Sequence, residues 1–256
     1  MRVVTLIENT CDRPDLCCEH GLSFYIETGD HRILFDAGQS DAFWDNAEKL
    51  GIDLRTVDMA ILSHGHFDHG GGLKKFLACN KTAPLYLRRD AFLDHYNADG
   101  KNIGLDPALE EDPRLHLTED FLALAPGITL CSCNDLPRPV PTDSAGLLEE
   151  GAPDPFLHEQ YLLIREAGKK ICFSGCSHKG ILNITAWLQP DILFGGFHFM
   201  KMSVEDPRLE AAAQTLLGYP TVYYTGHCTG LDQYAYLKSR MGDRLHALST
   251  GTEILL

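Results

Sequence analysis

The stretch Val57-Asp58-Met59-Ala60-Ile61-Leu62-Ser63-His64-Gly65-His66-Phe67-Asp68-His69-Gly70-Gly71-Gly72-Leu73 decides how this chain is read. It begins as a short, mostly apolar run of the kind that makes a buried strand. Three imidazoles and one carboxylate follow between positions 64 and 69, and three glycines then open a segment with helical spacing at Leu73, Phe76 and Leu77. Neutral imidazole and carboxylate are ligands for zinc, iron or manganese. His64 and His66, two apart in an extended segment, face one side and can grip one ion. Asp68 and His69 fall where the chain turns into helix and can face a neighbouring position. Gly65 and the run Gly70 to Gly72 let the backbone bend there. One turn therefore supplies positions for one or two divalent metal ions, with zinc the first expectation and iron or manganese also suited. The chain has twelve histidines, so an isolated one carries little meaning; the pattern H-x-H-x-D-H between a strand and a helix carries much more.

Outward from this loop, apolar runs alternate with helix-like segments. Strands are expected at 2–8, 22–27, 31–35, 57–62, 160–166, 169–174, 191–194 and 221–225, and helices at 41–50, 179–188 and 205–217. The alternation suits an α/β (α+β) fold in which two sheets pack face to face under outer helices, a four-layer αββα sandwich. At 256 residues, one domain spanning 1–256 is expected. Long Pro-, Gly- and Asp-rich loops are expected at about 97–113 and 134–155, lengths that mark lids or insertions.

Composition narrows the function classes. The chain is 44% hydrophobic and 23% charged, ordinary for a soluble globular protein. Its net charge of -14 argues against a nucleic-acid partner, which would need a positive face. The first ten residues hold one arginine and a five-residue apolar run, too short for a signal core or a membrane span. The expectation is a cytoplasmic protein with a small-molecule substrate, no nucleic acid and no membrane. Nine cysteines without framework spacing read as mostly reduced thiols.

The quoted stretch resembles the signature of the metallo-β-lactamase superfamily, and Phe35-Asp36-Ala37-Gly38 resembles that superfamily's D-x-G turn, which supports the metal loop. The resemblance implies the αββα metallo-β-lactamase fold with metals at one edge. Glu19-His20-Gly21-Leu22-Ser23, Gly175-Cys176-Ser177-His178-Lys179-Gly180-Ile181, Gly195-Gly196-Phe197-His198 and Gly226-His227-Cys228-Thr229-Gly230 are similar to a dihydropteroate-synthase-like subfamily. Its members are commonly named synthases of a dihydropterin–ribofuranosylaminobenzene 5′-phosphate. The likeness spans nearly the whole chain.

The resemblance also implies the remaining ligands of a binuclear site. His227 occupies the place of the last ligand of the second metal. Cys176 stands where most members carry a bridging aspartate; His178, two residues on, is the ligand the subfamily favours, with Cys176 the alternative. The third ligand of the first metal would be His158, or a carboxylate such as Glu159. His20, His198 and Lys179 are candidates for substrate contacts. His31, His95, His116 and His246 lack context and read as ordinary residues. The expected chemistry is hydrolysis of a small metabolite, phosphate- or pterin-linked, by a metal-activated water, with Asp68 orienting the nucleophile. Synthase or transferase activity, di-iron redox chemistry and a non-catalytic ligand sensor are the rival readings.

Overall fold

Runs such as Ile33-Leu34-Phe35 and Met59-Ala60-Ile61 form strands buried along their whole length, which is why they read as continuous apolar segments. The computed structural model describes residues 1–142, 144 and 146–256; Asp143 and Ala145, inside the expected 134–155 loop, lie outside the described residues. The chain divides into two compact units. The first comprises residues 1–119, 146–160 and 249–256, the second 120–145 and 161–248.

The first unit is built on a seven-stranded sheet in the order Glu253–Leu255, Arg2–Ile7, Ser23–Glu27, Arg32–Phe35, Met59–Ile61, Leu85–Arg88, Leu115–Thr118. The strands pair antiparallel up to Arg32–Phe35 and parallel from there on. Helices Ala42–Lys49 and Leu73–Cys79 turn Phe43, Trp44, Phe76 and Leu77 into the unit's apolar core. The expected loop at 97–113 contains a 3-10 turn, Pro107–Glu111. The short strands Leu148–Glu149 and Ala152–Pro153 sit within the expected 134–155 loop and pair into a small sheet with His95–Tyr96.

The second unit carries its own seven-stranded sheet, ordered Leu245–Ala247, Val222–Thr225, Ile192–Phe194, Lys169–Phe173, Tyr161–Glu166, Ile128–Cys131, Phe121–Ala125. The first four strands run parallel and the others antiparallel. Helices Ile181–Leu188, Pro207–Leu217 and Leu231–Met241 bury Ile184, Ala212, Leu216 and Leu237. Asp206 caps the second of these, accepting the Arg208 N–H at 2.9 Å, and Pro207 opens it. Each unit thus supplies one sheet with helices. In open α/β sheets, functional loops leave the carboxyl ends of parallel strands, and each unit has such ends.

Candidate metal centre

In the first unit, the carboxyl ends of two neighbouring parallel strands, Arg32–Phe35 and Met59–Ile61, are followed by Asp36 and by the loop from Ser63 to His69. Asp36 is fully buried and left-handed (φ 59°). A non-glycine residue in that conformation costs on the order of 1–3 kcal/mol and persists where its surroundings impose it. The surroundings here are clear. Asp36 Oδ1 accepts the Ser63 N–H at 2.7 Å, and Oδ2 accepts both the Ser63 hydroxyl at 2.8 Å and the His69 Nδ1–H at 2.7 Å.

These bonds fix two tautomers. Because the Ser63 proton goes to Asp36, the Ser63 Oγ accepts from His64 Nδ1–H, 2.8 Å away. His64 and His69 therefore both carry a proton on Nδ1, which makes Nε2 the nitrogen that a metal ion would take. A metal-ligating histidine is normally held this way, by a carboxylate or other acceptor on its far nitrogen. The His64 ring lies 4.6 Å from that of His66 and 4.2 Å from that of His69, centre to centre. Asp68 Oδ2 is 3.8 Å from His69 Nε2, a spacing one cation with bonds of about 2.0–2.2 Å can span. That pair and the neighbouring imidazoles are donors of the type a divalent ion takes. Burial and the charge of His158 hold His66 well below the usual histidine range, so its ring is neutral. Burial alone would lower His69, but the charges of Asp36 and Asp68 outweigh it and raise it.

Gly65 is the residue that lets the loop pass. A Cβ there would lie 2.4 Å from the Ala91 carbonyl oxygen and 2.8 Å from Ala91 Cα, so no side chain fits against that backbone. The Gly65 N–H donates to His158 Nδ1 at 2.9 Å. His158 Nε2–H in turn donates to Asp154 Oδ2 at 3.1 Å, and His95 Nδ1 stands 3.3 Å from the same oxygen. Both nitrogens of His158 are thus engaged. His158, the expected third ligand of the first metal, holds Gly65 and has its ring centre 5.3 Å from that of His66. His66, His95, Asp154 and His158 each present a ligand-type atom within 4.8 Å of the others. Burial keeps His158 below the usual range despite its bond to Asp154. His95, read from the sequence as an ordinary surface or core residue, is fully buried and belongs to this cluster. Glu159, the carboxylate alternative, is fully buried, and its charge acts on His69 and His158.

His20 lies beside Asp68. Its Nε2 is 3.3 Å from Asp68 Oδ2, while Asn9 Nδ2 donates to its Nδ1 at 3.4 Å. With 47% of its side chain exposed, it is placed to meet a molecule arriving from solvent.

In the second unit, three neighbouring parallel strands end in the other candidates. Cys176 and His178 follow Lys169–Phe173, His198 follows Ile192–Phe194, and His227 follows Val222–Thr225. Ser177, His198 and His227 are all left-handed, with φ of 58°, 57° and 51°. Such strain gathers at ligand sites. Cys176, His178 and His227 are buried. The His178 and His198 rings lie 4.4 Å apart, and the Ser144 hydroxyl is 3.1 Å from His178 Nδ1 and 3.4 Å from His198 Nδ1. Lys179 departs from its expected role. Its side chain is fully buried, the ammonium donating to the Ser132 carbonyl at 2.7 Å and lying 5.5 Å from the centre of the Tyr161 ring. A lysine so engaged is a structural cation, turned away from any solvent-borne phosphate. The nine cysteines are all unbridged, as expected of reduced thiols. Among the described residues no helix is long and apolar enough to cross a membrane.

The described residues include groups of His, Cys and Asp that could hold a metal ion. The comparisons define the family. The family model of the metallo-beta-lactamase superfamily matches residues 18–227, and the chain belongs to that superfamily and has its fold. The solved structure of Tm1679, a metal-dependent hydrolase of the beta-lactamase superfamily, is 26% identical with a TM-score of 0.86, covering 100% of this chain and 99% of that one. Zn(2+)-bound PqqB from Methylobacterium extorquens, 14% identical with a TM-score of 0.56 over the full length of both chains, shares the fold alone. The chain is also 33% identical to the 7,8-dihydropterin-6-methyl-4-(beta-D-ribofuranosyl)-aminobenzene-5'-phosphate synthase of Methanocaldococcus jannaschii, over 83% of this chain and 81% of that protein.

Proposed function

We propose that the protein is a metal-dependent hydrolase of small metabolites, working at the loop of His64, His66, Asp68 and His69. The observation that carries this reading is the carboxylate of Asp36, which engages His69 Nδ1 directly and His64 Nδ1 through the Ser63 hydroxyl. The similarity to the metal-dependent hydrolase Tm1679 supports it. A divalent cation held there, zinc first among the candidates and iron or manganese next, would supply Lewis acidity and lower the pKa of coordinated water. The chain's own groups do the rest. Asp68 holds a proton acceptor at the site, and His20 stands beside it to orient the arriving substrate. The motif makes His178 and His227 further metal candidates, with Cys176 the alternative to His178; alanine at each should lower metal content.

The test is a panel of esters, lactones and phosphodiesters with metal-loaded protein, alongside the Asp68→Ala variant. Turnover that depends on metal and on Asp68 supports the reading. Equal rates in the metal-free protein would sink it. A second reading, a synthase acting on a dihydropterin- or phosphate-linked substrate, is favoured by the relative from Methanocaldococcus jannaschii. Formation of a condensed product, with no hydrolysis of any panel member, would favour the second reading over the first.

A further inference from the structure

The second unit contains a cavity of about 290 Å³. Its walls are Ile181, Phe197, Phe199, Met202 and Ala212, brought together from two helices and the loop after Ile192–Phe194. Ser144, Ser177 and His198 add polar groups to the lining. The Ser144 hydroxyl reaches both His198 and the candidate ligand His178. The charged residue on the lining is Arg208, and its guanidinium donates to Asp206 through Nε at 3.0 Å and Nη2 at 2.6 Å. That cation is matched by an anion.

The lining dictates the class of occupant. An apolar wall penalises a charged group, because nothing there replaces its hydration. An apolar cavity of about 150 Å³ holds one benzene ring, so this one has room for two rings. Ser177 and His198, on the lining, both adopt left-handed backbone. Strain of that kind marks ligand clamps.

We propose that this cavity seats an uncharged two-ring apolar body of the substrate, with the reacting group at Ser144 and His198, beside His178. Calling the occupant a substrate rests on the hydrolase reading; the cavity's ligand class does not. The probe is 2-naphthol, neutral at pH 7, titrated calorimetrically into the full-length protein, with naphthalene-2-sulfonate as the charged comparator. Two rim variants, Ala211→Trp and Thr215→Trp, place an indole at exposed positions that line the cavity and leave the core untouched.

Saturable 2-naphthol binding, tighter than the sulfonate and weakened at least about tenfold in a folded rim variant, is the expected result. No saturable binding, wild-type affinity in both folded rim variants, or preference for the sulfonate overturns the inference. Metal content is measured on the same samples. Naphthol binding by a chain that takes up no metal supports the cavity assignment and sinks the hydrolase reading. Metal uptake without naphthol binding does the reverse.

Discussion

Asp36 Oδ2 accepts the Nδ1–H of His69 at 2.7 Å and, at 2.8 Å, the hydroxyl of Ser63 that orients His64. One buried oxygen thereby sets the tautomer of two candidate ligands. Asp36→Asn offers a weaker acceptor and adds a donor facing two donors. Metal affinity should fall roughly 10- to 100-fold, as for other outer partners of ligating histidines. Competition against a chromophoric chelator measures this, and an unchanged dissociation constant would count against the role given to Asp36.

Gly65→Ala drives a methyl group into the Ala91 backbone, 2.4 Å from its carbonyl oxygen. Overpacking of this kind costs about 1–3 kcal/mol. In a chain of this size each kcal/mol lowers Tm by roughly 2–4 °C. Calorimetry should show that fall together with reduced metal content, since the displaced segment joins His64 to His66. A variant with wild-type Tm and metal content would mean that the loop yields freely.

Asp154 and His158 brace the same loop from behind. Burial disfavours the Asp154 carboxylate, but bonds from His158, His95 and the Phe156 N–H outweigh it and hold Asp154 far below the usual carboxylate range. A carboxylate depressed on folding contributes stability that is present above its unfolded value, near 3.9, and is lost as pH falls toward its folded one. Asp154→Asn should therefore destabilise by about 1–3 kcal/mol at pH 7. The gap from wild type should close as the pH drops below about 4. Urea unfolding at several pH values reads this directly; a gap that widens in acid contradicts it.

His20 and Asp68 are separated by 3.3 Å yet should behave differently. Asp68→Ala removes a ligand and should lower metal content as well as turnover. His20→Ala should leave metal content unchanged and slow turnover alone. Elemental analysis beside initial rates separates the two, and loss of metal in His20→Ala would make that residue part of the metal centre.

The candidate metal loop was legible because the residues that make it up are local. His64, His66, Asp68 and His69 need only a strand before them and a helix after, and Asp36 needs only the preceding strand end. The elements around it were legible for the same reason: helix Pro207–Leu217 announces itself with Asp206 and Pro207. What stayed hidden depends on distant pairing. His95, Asp154 and His158 meet through the small sheet of strands His95–Tyr96, Leu148–Glu149 and Ala152–Pro153, each two residues long and without periodicity. Strand Glu253–Leu255 is placed by its pairing with Arg2–Ile7 at the opposite end of the chain. Lys179 looked like a phosphate contact because its sequence neighbours are polar, and only the fold supplies the Ser132 carbonyl and the Tyr161 ring that bury it. A faint signal for His95 did exist, in its position shortly after the turn that follows Leu85–Arg88.

The most direct measurement is elemental analysis of protein purified without chelator, wild type beside the His64→Ala/His66→Ala double variant. Wild type should carry divalent metal in a fixed ratio to chain, and the double variant, still folded by circular dichroism, should carry close to none. Equal metal in both, or none in either after incubation with zinc, iron and manganese, would contradict the account.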